Sequence, residues 1–271
     1  MAAEDVCRYE LTVGQVVGDS FSALVGTLSS LAVVIYTARM IDIYYRIPAE
    51  IRTLKRGVVV LVGSLLASDL LQGIGAAMDA KWANERSSRC GEYCTAQGAL
   101  RLIGQTGDAL SILGIAVATF ISIWFPASHV RAFRSNGFKP AVIYVGIVWS
   151  YLLLWPIVAV GIHHNYDSPE TLFFAPTPAW CWISESYKGA RIAAEYAWLW
   201  LACAVTIVLY IWLGLLFCEI ITPSSTWPHL PQRVYNNEDV KDYGDRRTAA
   251  MLISYPIGMD SPISKLKIQE C

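Results

Sequence analysis

Charge is the scarcest thing in this sequence. Only 16% of its 271 residues are Asp, Glu, Lys or Arg, where a soluble domain carries about 25%. The net charge of −1 offers no basic field to a nucleic acid, so that class of partner drops out. The common soluble enzyme signatures are missing too: no Gly-rich phosphate loop, no HExxH and no GxSxG. No set of acid, base and nucleophile gathers at one depth, so an enzyme is not expected, and nothing asks for a cofactor. His163 and His164 are adjacent, with no Cys or carboxylate at ligand spacing, and read as interfacial histidines rather than a metal site. There is no N-x-S/T sequon. No basic stretch precedes the first apolar run and no small-residue site closes it, so a cleaved signal peptide is not expected.

What the chain has is apolar length: 55% of it is hydrophobic. Five stretches, 14–37, 57–78, 94–126, 141–161 and 196–218, are long enough to span a bilayer. The expected fold is an all-α polytopic helix bundle over 14–218, between a short polar tail at 1–13 and a polar, aperiodic tail at 219–271 read as largely disordered. Stretches 38–56, 79–91 and 162–191 read as connectors or loops.

The third stretch organises the rest. As one helix it rises roughly 48 Å, more than the ~30 Å hydrocarbon core. Arg101, Gln105 and Asp108 recur at helical spacing on one face, beside a small-residue stripe of Gly104, Gly107, Ser111 and Gly114 that admits close neighbours. Ionisable groups inside a membrane need partners or water. Arg101 and Asp108, two turns apart, are read either as a structural pair bridged through Gln105 or as the wall of a ligand cavity. Asp69, at mid-depth among apolar residues, leans toward the second reading.

The connectors after the first and third stretches are rich in Lys and Arg, including Arg52, Lys55, Arg56, Arg131 and Arg134, and the other loops carry more acid. That bias puts the N-terminus outside and the long tail inside. Cys90, Cys94 and Cys181 then share the outer side, where disulfides persist. Cys94 with Cys181 is one pairing, and Cys90 with either is the alternative. Trp180, Trp182, Trp198 and Trp200 read mainly as an interfacial belt, with one or two free to line a pocket. Cys218, at the inner edge, is a lipidation candidate or an unmodified small residue.

Three pieces in order then look familiar: Ala67-Ser68-Asp69-Leu70-Leu71-Gln72-Gly73, Cys94-Thr95-Ala96-Gln97-Gly98 and Cys181-Trp182-Ile183, the last extended by Arg191 and Glu195-Tyr196. Together, over roughly 14–218, they resemble the fungal glucose-receptor-like family of G-protein-coupled receptors, related to the slime-mould cyclic-AMP receptors. The resemblance implies a seven-helix architecture in a plasma membrane and a disulfide between Cys94 and Cys181. It also implies a polar site at Asp69 and a heterotrimeric G protein at the inner loops; Trp182 and Glu195 join Asp69, Arg101, Gln105 and Asp108 as candidates for a ligand site or polar core. Residues 246–257 look like the entry to a sixth span, but residues 258–271 are too polar and too few to cross. The expectation is five spans of a seven-helix receptor that does not signal alone. A scaffold pairing with full-length receptors is the first alternative. A transporter or channel is the second, and the lack of inverted repeats and of a charged ring speaks against it.

Overall fold

The computed structural model describes residues 7–46, 49–124, 138–162, 172–177 and 180–217. In chain order these form β1 (Arg8–Glu10), α1 (Val13–Arg46), α2 (Ala49–Ala77), α3 (Asp79–Glu85), β2 (Ser87–Arg89), α4 (Glu92–Trp124), α5 (Phe138–Ile162), β3 (Phe174–Pro176) and β4 (Cys181–Ile183). A 3-10 turn (Glu185–Tyr187), α6 (Lys188–Arg191), a π-helical turn (Ile192–Tyr196) and α7 (Ala197–Phe217) complete them. Among the described residues, five helical stretches are long and apolar enough to cross a membrane.

α1 begins where local chemistry satisfies its free amides. Thr12 and Gln15 form a reciprocal capping box: the Gln15 side chain accepts from the Thr12 backbone N–H at 2.8 Å, and the Thr12 hydroxyl accepts from the Gln15 N–H. The helix then runs to Arg46, and α2 resumes at Ala49. Most of the expected 38–56 connector is therefore helix, because its charges sit on a path that never meets a Pro or Gly before residue 48.

α4 is the centre. Half of its apolar window is buried, against 11–22% in the other four spans, and it packs on α2, α5, α7 and the β3–β4 hairpin. The small-residue stripe makes this possible. A Cβ on Gly104 would lie 2.7 Å from the Gln72 backbone nitrogen of α2, and one on Gly114 would lie 2.6 Å from the Tyr144 ring of α5. On the same stripe Ser111 meets Ser64 of α2 at 3.0 Å. The outward faces of α1, α5 and α7 expose Leu, Ile, Val and Trp side chains, as lipid contact requires.

One end of the bundle carries all four strands. β1 pairs antiparallel with β2, with Tyr9 opposite Ser88. β3 pairs with β4, with Ala175 opposite Trp182. The polar loop expected at 79–91 is instead α3 followed by β2. Arg86, in the left-handed conformation at φ 54°, ends α3 and turns the chain into the strand. Two disulfides join this hairpin end: Cys94–Cys181, with Cα atoms 5.2 Å apart, and Cys7–Cys90, with Cα atoms 5.6 Å apart. The first is the pairing that the resemblance implied. The second resolves the open question of Cys90.

Candidate functional site

A buried polar network lies beneath the hairpin end, and it is built around Asp79. This carboxylate is fully buried. It accepts from Ser22 Oγ of α1 at 2.7 Å, from Gln97 Nε2 of α4 at 2.6 Å, and from the Arg101 guanidinium, with which it forms an ion pair. Gln97, also fully buried, uses the rest of its side chain. Its Nε2 donates to the Gly75 carbonyl at 3.2 Å, while its Oε1 accepts from Trp82 Nε1 at 2.7 Å and from the Cys181 backbone N–H at 3.2 Å. Through these two residues α1, α2, α3, α4 and β4 are bonded to a common centre. The Trp180 ring lies 5.1 Å from the Arg101 guanidinium carbon as a cation–π lid. Asp19, buried on α1, brings a second carboxylate here, with its Oδ2 unpartnered.

This corrects the reading of Arg101 as the partner of Asp108. Seven helical residues separate the two by about 10.5 Å of rise. Asp79, the first residue of α3, stands beside Arg101 of α4, so the guanidinium takes the nearer carboxylate. Asp108 instead meets Asp69. The two carboxyls, on α4 and α2, are within hydrogen-bonding reach of each other, and Asp108 Oδ1 is buried without a partner. Near them Trp149 Nε1 donates to Ser64 Oγ at 3.0 Å, and Ser68, fully buried, has an unpartnered hydroxyl. Gln105, Asp108 and Ile112 are the less covered positions in an otherwise buried part of α4, so this face of the bundle stands partly open.

A third polar group surrounds the π-helical turn at the head of α7. Such turns shift the side-chain register by one residue and free carbonyls for outside partners. Here the Ala193 carbonyl accepts from the Tyr151 hydroxyl at 2.7 Å, and the Ala194 carbonyl accepts from Thr106 Oγ1 at 3.2 Å. Trp198 Nε1 in turn donates to Tyr151 at 2.7 Å. Glu195 is 4% exposed and its Oε2 has no partner. Trp182 is buried beside this turn, in a cluster with Leu102, Phe173, Phe174, Ile183 and Ala194. Trp200, 74% exposed, is a surface side chain.

Of the other expected residues, Arg56 is exposed near the opposite end of α2. Arg52 and Lys55 lie in the first turns of that helix. Arg131, Arg134, His163, His164, Cys218 and the whole of 219–271 lie outside the described residues. Sequence reasoning missed Asp79 and Cys7. Asp79 was hidden at the boundary of an apolar stretch, where a polar residue usually marks the start of a loop. For Cys7 the signal was arithmetic: three cysteines on one side leave an odd one, and a fourth stands in the N-terminal tail.

Five helices long and apolar enough to span, with α2, α5 and α7 packed on the polar-sided α4 and α1 packed on α2, define a polytopic membrane helix bundle. No known protein family, curated protein or solved structure matches the chain.

Proposed function

We propose that this bundle is a cell-surface receptor of the G-protein-coupled type, working in nutrient or cyclic-AMP-like sensing at the plasma membrane. One observation carries the reading. The Cys94–Cys181 disulfide ties the β3–β4 hairpin to the head of the most buried helix, directly over a polar network that reaches into the bundle. A ligand that moves the hairpin therefore pulls on α4 through a covalent bond and on the head of α7 through Arg191, whose Nε donates to the Ile183 carbonyl at 2.6 Å. Helix shifts of this kind are what a receptor transmits. Both disulfides sit at one end, which supports that end facing the oxidising exterior, N-terminus included. The end of α2 that carries Arg56 then faces the cytoplasm, where a heterotrimeric G protein docks. A transporter is less well supported, because Gln97 and Arg101, on the polar side of α4 at the hairpin end, are taken up by hydrogen bonds to Asp79 rather than lining a path.

The test is recruitment of a G-protein α-subunit to the surface-expressed chain, alone or beside a seven-helix receptor, read by resonance energy transfer. Recruitment on adding a carbon source or cyclic AMP is the expected result. Normal surface expression with no recruitment under either condition overturns the reading.

A second reading, a partner subunit for another helix bundle, is favoured by the half-open face at Gln105, Asp108 and Ile112. Carboxyls do not face lipid without cost, so a second chain is a natural cover. Differently tagged copies should then co-purify, and Asp69→Leu with Asp108→Leu should abolish that.

A further inference from the structure

We infer that the head of α7 holds a binding site for a small zwitterion of amino-acid size, made by Arg191, Glu195 and Trp155 beneath the β3–β4 hairpin. The inference rests on the receptor reading only for its consequence, not for its geometry.

Three buried polar atoms without partners belong to residues on, or next to, one apolar cluster, to which Ala190, Ala194 and Trp155 contribute. Arg191 commits its Nε to the Ile183 carbonyl, which leaves Nη2 buried and unbonded. Glu195, one turn further on, is 4% exposed, and its Oε2 is likewise unbonded. In a regular helix residues four apart on one face pair readily. Across this π turn the two form no ion pair, and the ion pairs among the described residues are Arg46–Asp42, Arg89–Glu85 and Arg101–Asp79. Trp155 of α5 supplies the third atom: its Nε1 is buried and unpartnered. Its ring packs on the same cluster as Leu102, Trp182 and Ala194. Four residues earlier, Tyr151 is bonded to the Ala193 carbonyl, which fixes α5 against the turn.

A buried polar atom left without a hydrogen bond is costly, and here three stand close to one cluster. Arg191 attracts the Glu195 carboxylate through space, but no hydrogen bond satisfies Arg191 Nη2, Glu195 Oε2 or Trp155 Nε1. The ligand that would satisfy them is defined by the atoms themselves. Two donors, Arg191 Nη2 and Trp155 Nε1, suit an anionic group such as a carboxylate. One acceptor, Glu195 Oε2, suits an ammonium group a few ångströms away. Trp182 and the Trp155 ring offer an apolar wall for whatever lies between. A molecule with only one of the two charges would satisfy half the site and leave the other half buried and bare.

Full-length protein in lipid nanodiscs can be screened by thermal shift and by calorimetry against the twenty free amino acids. Short carboxylates, simple amines and hexoses serve as controls. At least one amino acid should bind, with its deaminated and decarboxylated analogues at least tenfold weaker. Glu195→Gln and Arg191→Leu should each weaken it at least tenfold. Trp155→Phe keeps the ring and removes the N–H, so it should fold normally and still weaken binding severalfold. Hexoses binding in preference to any zwitterion would overturn the inference. So would binding that ignores all three substitutions. If nothing binds and Glu195→Gln or Arg191→Leu simply raises the melting temperature, the site is a water-filled structural cluster and the inference fails. Zwitterion binding without G-protein recruitment would leave this site standing and defeat the receptor reading. Recruitment by a ligand that ignores these residues would do the reverse.

Discussion

At the scale of single residues, Asp79 and Gln97 hold the most. Each is fully buried, and each joins elements far apart in the chain. Asp79→Ala strands the Arg101 guanidinium in a buried site, an effect of about 3–5 kcal/mol for broken buried pairs. The expected outcome is a large drop in melting temperature in detergent and little protein at the cell surface. Replacing both, Asp79→Leu with Arg101→Leu, should recover part of that loss, since an apolar pair of similar volume removes the stranded charge. If the double variant is no better than Asp79→Ala, the pair has a role beyond neutralising itself. Gln97→Ala leaves the Trp82 N–H and the Cys181 N–H without their acceptor, at about 1–3 kcal/mol for each group that finds no water. It should destabilise the protein more than Gln105→Ala, at a half-buried position on the same helix, when the two are unfolded side by side.

At the scale of elements, close helix contact rests on α4 having no side chain where α2 and α5 press on it. Gly104→Val should push α2 away, because its first carbon already lies 2.7 Å from the Gln72 backbone. Gly63→Ala, where nothing stands within 4 Å of an added carbon, should be silent. Equal loss from both, measured as folded protein by size exclusion, would mean that the contact is not what limits packing. The helices and the small-residue stripe were legible in the sequence because hydropathy and residue size act locally. The partner of Arg101 was not. It depends on how far α2 slides along α4, a quantity set by tertiary contact and invisible to spacing along one helix. The hairpins were missed for a related reason. Strands of three residues carry too short a pattern to separate from loop. The Glu195 site was half visible: its acid was marked, but the π turn that keeps it from pairing with Arg191 has no sequence signal.

At the scale of the whole molecule, the bundle is cross-linked at one end, while the other end carries Arg46 and Arg56. A tag at Cys271 should be shielded from protease in intact cells, and one at the N-terminus should be cleaved; the opposite pattern would invert the proposed orientation. The two cross-links also impose an order on biosynthesis. Cys7 and Cys90 both precede Cys94 in the chain, whereas Cys181 comes 87 residues after it. At ~5–20 residues per second, Cys94 waits about 4–17 s with a free thiol. For that interval its nearest rival is Cys90, only four positions away. Early closure onto Cys7 takes that rival out of circulation, so the N-terminal clasp acts as a guard for the later bond. Cys7→Ser should therefore be worse than Cys90→Ser: it releases a thiol that can capture Cys94, and pulse-labelled chains should show a Cys90–Cys94 species by peptide mapping. Equal maturation of the two variants would mean that the nascent chain pairs Cys94 correctly without that protection.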